Sequence, residues 1–134
     1  MPRAMPLLFC MLCVAASPAR AQKFDLSGKW QAQMTVIACC STFKPEEEII
    51  RQEGDAIRAT KITGDEWVPA GKLNLRGTYT ARVFMGQQLC AGPGFSDPNW
   101  EDVTITIVDK DHFKVEGGCS GGGSWMREHA PPIS

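Results

Sequence analysis

Cysteines are the residues of this chain best suited to covalent chemistry, and four of them lie beyond the N-terminal region, at Cys39, Cys40, Cys90 and Cys119. Thiolates form disulfides, bind metals or take part in redox exchange. The spacing lacks the paired C-x-x-C knuckles of structural zinc sites, which favours disulfides over a metal. In an oxidising compartment such bridges stabilise small domains, each by about 2–4 kcal/mol.

The adjacent position of Cys39 and Cys40 restricts the pairing. A bridge between neighbours would close a strained ring with a distorted peptide bond. The sequence therefore predicts that Cys39 and Cys40 each pair with one of Cys90 and Cys119. Metal binding or redox chemistry at Cys39-Cys40 is the alternative.

Residues for other chemistry are few. The chain has two histidines, His112 and His129. Gly118-Cys119-Ser120-Gly121 is the nearest approach to a nucleophile loop, but with no histidine at a fixed offset we expect a bridging cysteine in a flexible glycine turn. The three glutamates at 46–48 lack the alternating oxygen ligands of a calcium loop, so we expect a solvated loop there. These observations predict a protein that is not an enzyme and that has no cofactor and no metal.

Aromatic residues in turn-rich segments are the better functional lead, namely Trp67, Phe95 and Trp100. Loops that a rigid scaffold positions often carry binding residues. Exposed aromatic rings there can bind a peptide or a sugar. The sequence predicts these three as binding residues, and packing against the ends of the fold is the alternative.

The elements that would position these residues are strands. Residues 28–37 alternate almost without fault between apolar and polar, and Gly54-Asp55 is a hairpin signal between two further strands. Residues 72–85 predict one long strand with a bend or bulge at Gly77. Shorter strands are predicted at 48–53, 56–63, 103–108, 112–116 and 124–127. The pattern predicts an all-β fold, a small antiparallel up-and-down barrel stabilised by disulfides, with a β-sandwich as the alternative.

The N-terminal region carries a targeting signal. Arg3 precedes an apolar run at 7–16, and Ala19-Arg20-Ala21 fits the cleavage site of a secretory signal peptide. The run is too short for a membrane span, which needs about 20 residues. We expect residues 1–21 to be removed, which leaves a single domain at 22–134 that is secreted or periplasmic. The mature net charge of −3 gives no reason to expect nucleic acid or an anionic membrane as partner.

Two resemblances add to this interpretation. Gly28-Lys29-Trp30 resembles the G-x-W opening of the lipocalin and avidin (calycin) superfamily, in which a basic residue of the last strand covers the tryptophan. The resemblance implies a lipocalin-like barrel in which Arg127 covers Trp30. A planar guanidinium can stack on an indole while its donors reach backbone carbonyls.

The second resemblance lies in the segment Thr63-Gly64-Asp65-Glu66-Trp67-Val68-Pro69-Ala70-Gly71. It looks like the T-G-D-x-x-V-P-A-G segment of a β-barrel module in some F-box proteins and plastid singlet-oxygen sensor proteins. The resemblance implies binding or sensing of proteins or oxidants rather than catalysis. The residues themselves predict structural roles, because Gly64-Asp65 turns the chain and Pro69 stops strand pairing.

Together these features predict a non-enzymatic binding module that grips a peptide, a protein or a small ligand at the barrel rim. A structural or stress-related accessory protein without a pocket is one alternative. A redox or metal-binding protein that uses Cys39-Cys40 is the other.

Overall fold

A computed structural model describes residues 23–34, 45–64, 68–91, 98–119 and 121–130. The signal peptide predicted at 1–21 and the predicted extension of the first strand over 35–37 lie outside these residues. Every regular element in the described part is a β-strand. The strands are β1 (Gly28–Met34), β2 (Glu46–Glu53), β3 (Ala56–Lys61), β4 (Leu73–Thr78), β5 (Val83–Cys90), β6 (Asn99–Asp109), β7 (His112–Gly117) and β8 (Gly122–Arg127).

The strands form a closed antiparallel barrel. Each pairs with the next in chain order, and β8 returns to pair with β1, which joins Trp30 to Arg127 in register. Closure leaves no strand edge exposed, which a sheet without covering helices requires. The predicted up-and-down barrel is confirmed, and the sandwich alternative is wrong.

The prediction of one long strand at 72–85 is wrong. The chain reverses at 79–82, so that β4 and β5 are two paired strands. Tyr79 lies buried in the reversal, and Val83 and Met85 point outward with 56% and 62% of their surface exposed. An alternating pattern that continues through a turn cannot reveal the turn, since hydrophobic period alone does not report chain direction.

Aromatic rings fill the middle of the barrel. Phe113 lies between Trp30 and Trp125, with ring centroids 4.9 Å and 5.3 Å away, and all three side chains are buried. Burial of each such side chain stabilises the fold by about 1.5–3 kcal/mol. The packing also requires a glycine, because a Cβ at Gly86 would lie 2.8 Å from the backbone oxygen of Arg76.

The two ends of the barrel differ. At one end the connections are short (54–55, 79–82 and 110–111), and residues 23–27 cross the opening, where Leu26 is completely buried. We call this the closed end. At the other end the connections are 35–45, 62–72, 91–98 and 118–121, and we call it the loop-rich end. None of the described residues belongs to a helix with the length and apolar character of a membrane span.

Candidate functional site

The inside of the barrel becomes polar toward the loop-rich end. Five polar residues with buried or half-buried side chains lie near the strand ends there, and we call them the interior polar cluster: Glu46, Glu48, Lys61, Asn74 and Gln88. Ionisable side chains are rarely buried unless they are paired, because desolvation of a charge is costly. This cluster is the main candidate for a functional site.

Glu48 is the centre of the cluster and has no exposed surface. Its carboxylate accepts hydrogen bonds from the indole Nε1–H of Trp125 and from the side-chain amide of Asn74. The carboxylate thus lies where the aromatic core meets the polar end. The side chains of Glu46, Glu48 and Ile50 point into the barrel from β2. The inward face of this strand therefore changes from apolar at Ile50 to acidic toward the loop-rich end.

Asn74 reaches Glu48 because of a β-bulge. The β3–β4 register shifts between Ala59 and Thr60, and two consecutive residues of β4, Asn74 and Leu75, are both buried. A regular strand would send one of them outward. A bulge re-aims a side chain, and here it adds an amide donor to the barrel interior.

Lys61 supplies the positive charge of the cluster. It lies directly opposite Glu48 in the β2–β3 register, and its side chain is 2% exposed. Its ammonium Nζ lies 3.0 Å from Oε1 of Glu46, whose side chain is 12% exposed at the rim. The Lys61 backbone is fixed to the following loop, since Gly71 N–H donates to its carbonyl at 2.8 Å.

The disulfide of the described residues lies at the same end. Cys90, the last residue of β5, is bonded to Cys119, just after β7, with their Cα atoms 5.9 Å apart. The predicted pairing of these two with Cys39 and Cys40 is therefore wrong, and Cys39 and Cys40 lie outside the described residues. The prediction failed because β5 and β7 are separated in the sheet only by β6, a proximity that sequence spacing does not show.

The predicted binding aromatics have different outcomes. Trp100 lies in strand β6 rather than in a loop, which corrects the turn assignment, and it is half-buried. The guanidinium carbon of Arg76 lies 4.0 Å from the centroid of its ring. Trp67 and Phe95 lie outside the described residues.

The segment around Gly64 folds back on itself beside Lys61. A Cβ at Gly64 would lie 2.4 Å from the backbone nitrogen of Ala70, so the close approach requires glycine. Val68 is buried at 5% exposure, while Pro69 is exposed in the turn. Asp65 lies outside the described residues. These contacts give Gly64 and Val68 structural roles in shaping the loop-rich end.

The closed end is sealed by Arg127. Its Cζ lies 4.6 Å from the ring centroid of Trp30, so the predicted contact is present. The Trp30 Nε1–H donates to the Leu26 carbonyl at 2.8 Å. The Arg127 guanidinium donates to the carbonyls of Ser27, Asp25 and Lys110 at 2.7, 2.8 and 2.9 Å, and to the Asp111 carboxylate at 3.0 Å.

Two aspartates of the closed end have lowered pKa values. For Asp25, hydrogen bonds from the Ser27 backbone and hydroxyl lower the pKa, and the nearby Arg127 charge lowers it further. For Asp109, burial acts to raise the pKa, but hydrogen bonds from the Asp111 backbone and from His112 outweigh it and lower the value. The His112 Nδ1 lies 2.8 Å from the Asp109 carboxylate.

Sequence reasoning missed the interior polar cluster. The expectation of a solvated loop at 46–48 is wrong, since these residues begin β2, and Glu48, the first residue of the strand predicted at 48–53, is fully buried. The inward alternation of Glu46, Glu48 and Ile50 was the available signal. Across the residues that the structure describes, no group of three or more histidine, cysteine or acidic side chains is placed to hold a metal ion.

Comparison with known proteins adds one partial match. No family model matches the chain. A curated relative, "Protein EXECUTER 1, chloroplastic" from Arabidopsis thaliana, is 32% identical over an alignment of 75 positions that covers 43% of this chain and 11% of the plant protein. The chain thus spans only about a ninth of that relative's length. The closed eight-stranded antiparallel barrel fits a calycin-like fold.

Proposed function

We propose that this protein is a non-enzymatic binding module that binds a peptide, a protein segment or a small ligand at the loop-rich end of its barrel. The observation that carries the proposal is the burial of Glu48 and Lys61, in register with one another, inside that end. The loops above them would form the walls of the site, in keeping with the functional role of loops on rigid barrels.

The asymmetry of the barrel supports this location. The closed end is covered by residues 23–27 and sealed by Arg127 over Trp30, so a ligand has no entry there. At the opposite end, Glu46 lies at the rim with 12% of its side chain exposed and is in direct contact with buried Lys61. A ligand at the rim would therefore meet the Glu46 carboxylate and, next to it, the Lys61 amine, an acceptor and a donor that recognise polar groups, while Glu48 lies fully buried below them.

The burial of charged side chains in the cluster is also more typical of groups retained for function than of groups retained for stability. Replacement of buried ion pairs by well-packed apolar residues is often neutral or stabilising. A small domain with a modest stability margin has little reason to keep charges inside its barrel otherwise. Activity commonly depends on such locally unfavourable groups.

The proposed location is the secretory pathway or the periplasm. The signal-like residues 1–21 support it, and the Cys90–Cys119 disulfide is a feature of oxidising compartments. The partial similarity to EXECUTER 1 supports the relation to β-barrel modules of sensor proteins that the segment at 63–71 first indicated.

One alternative has a specific observation in its favour. Trp30, Phe113 and Trp125 fill the barrel middle, which suits a structural or accessory protein whose interior takes no ligand. Binding at the rim involves only the polar, loop-rich end of the barrel, so it is compatible with a middle that the three aromatic rings fill. A redox role for Cys39-Cys40 stays a third proposal.

The test is native mass spectrometry of the protein purified from its source cells. The variant Glu48→Gln/Lys61→Met removes two of the three charges of the cluster, leaves that of Glu46, keeps an acceptor for Trp125 and should retain the fold. The matched control Glu116→Gln/Lys114→Met makes the same exchanges at exposed positions of β7. A bound compound present in wild type and control but lost from the cluster variant supports the proposal. A compound retained by all three proteins contradicts it.

A further inference from the structure

Three arginines lie side by side on the outer wall of the barrel. Arg51 of β2 is directly opposite Arg58 of β3, which is directly opposite Arg76 of β4. Their side chains point outward, since the preceding residues of each strand face the core and are buried: Ile50, Ile57 and Leu75. We call these three residues the arginine row.

The row concentrates positive charge without compensation. Neighbouring strands lie about 4.8 Å apart, and like charges directly opposite one another destabilise a sheet. Among the described residues, no carboxylate pairs with Arg51 or Arg58. On the same face, Glu53 lies farther along β2, and Asp102 lies beyond Gln87, which donates to it at 3.4 Å. An anion bound along the row would offset the repulsion.

Arg76 is held in place for such a contact. Its Nε and Nη2 donate to Oε1 of Gln87 at 3.0 and 2.8 Å, and its Cζ lies 4.0 Å from the ring centroid of Trp100. Its Nη1 donors are engaged by no other residue in the described part of the chain. A guanidinium fixed in this way loses little side-chain entropy when it binds an oxyanion.

A groove beside the row gives a ligand room. It has a volume of about 410 Å³ and is lined by residues of β3 to β6, among them Arg58, Arg76, Met85, Gln87 and the acidic Asp102. This volume is within the usual range of small-ligand clefts, about 300–1,000 Å³. Met85, with 62% of its surface exposed, adds an apolar contact next to the two guanidiniums.

We propose that the arginine row and its groove bind a linear polysaccharide that carries sulfate or phosphate esters. Guanidinium groups match such oxyanions with paired hydrogen bonds. A flexible chain can follow the curved wall across three strands. A flat anionic membrane would contact fewer of the three arginines at once, because β2, β3 and β4 lie on the curved wall of a closed barrel. Stacking of nucleic-acid bases is disfavoured because Arg76 covers the Trp100 ring. This site is separate from the proposed rim site.

Binding of a fluorescent heparin oligosaccharide, measured by anisotropy at about 0.15 M salt, tests the proposal. Arg51→Gln/Arg58→Gln should weaken binding about tenfold or more, since several charge-assisted contacts are lost. Lys110→Gln/Lys114→Gln removes the same charge from exposed positions elsewhere and should change binding less than about twofold. Chemically desulfated heparin should not bind.

Several outcomes would overturn the proposal. These are an absence of heparin binding at this salt, equal losses in the two double variants, or equal binding of the desulfated chain. Tighter binding to phosphatidylserine vesicles than to heparin, with the same loss in Arg51→Gln/Arg58→Gln, would assign the row to a membrane instead. Heparin should also raise the Tm of the wild type and not that of this variant, and a variant that fails to melt cooperatively is replaced by Arg58→Gln alone.

Discussion

Arg127 covers the ring of Trp30 with its Cζ 4.6 Å from the ring centroid, and the same guanidinium donates to three backbone carbonyls. Those carbonyls belong to Asp25, Ser27 and Lys110, in the N-terminal segment and the β6–β7 turn. One side chain of the last strand therefore holds together the first strand, the crossing segment and a turn. The contact lies where the first and last strands pair to close the barrel.

Loss of this contact should lower stability substantially. We expect Arg127→Met to reduce the free energy of unfolding by about 2–4 kcal/mol, because stacking and charge-assisted hydrogen bonds are lost together. Trp30→Ala should cost about 3–5 kcal/mol through the cavity it leaves. Urea unfolding of both single variants and the double variant measures their coupling, which should be at least about 0.5 kcal/mol. Additive effects would show that the contact has no energetic role.

Removal of the Glu48 carboxylate should be severe. Glu48→Ala leaves the donors of Trp125 and Asn74 without their acceptor in the interior, and we expect a loss of about 3–5 kcal/mol. Glu48→Gln keeps one acceptor oxygen and should lose less. Thermal unfolding in both variants checks this order, with Glu116→Gln as an exposed control. Equal stability of wild type and Glu48→Ala would mean that the buried carboxylate is not held as described.

The disulfide should join the ends of β5 and β7. Peptide mapping without reduction should return a fragment that links Cys90 to Cys119 and none that links either to Cys39 or Cys40. The paired variant Cys90→Ser/Cys119→Ser should lose about 2–5 kcal/mol of stability. A fragment that joins Cys40 to Cys119 would restore the pairing expected from the sequence and contradict the structure.

Asp109 should contribute to stability in a pH-dependent way. Its pKa is lowered in the folded state, so the stabilisation is fully present above the unfolded value, about 3.9, and is lost as the pH falls through the folded value. Asp109→Asn should therefore flatten the decline of stability in acid. Denaturant unfolding between about pH 2 and pH 6 measures this, spanning the range of carboxyl titration. Asp102→Asn is the control for a lost surface charge, and an unchanged slope in Asp109→Asn would refute the assignment.

The barrel was predictable because its strands alternate. The inward set of β1, Trp30, Ala32 and Met34, follows directly from the sequence, and all three side chains are buried. The G-x-W opening gave the partner of Trp30 because strand closure forces the first and last strands together. The alternation within the strands and the required pairing of the first strand with the last were enough to predict the barrel.

The polar cluster was not predictable by the same means. Its members come from strands β2 to β5, and a one-residue bulge decides that Asn74 points inward. Three consecutive glutamates suggest a solvated segment, since the cost of burying Glu48 is offset by partners on other strands, among them donors from β4 and β8. The disulfide prediction was wrong for a related reason, because only β6 separates β5 from β7 in the sheet. The interior polar cluster and the disulfide both depend on contacts between residues that are distant in sequence, which a local sequence pattern does not show.

The most direct test of rim binding is an amide chemical-shift map recorded during titration with the compound found by native mass spectrometry. We expect the largest shifts to cluster at the loop-rich end, around Glu46, Lys61, Asn74 and Gln88. These shifts should disappear in Glu48→Gln/Lys61→Met, while that variant keeps a wild-type spectrum elsewhere. Shifts confined to the closed end around Trp30, or to the outer wall around Arg58, would contradict binding at the rim.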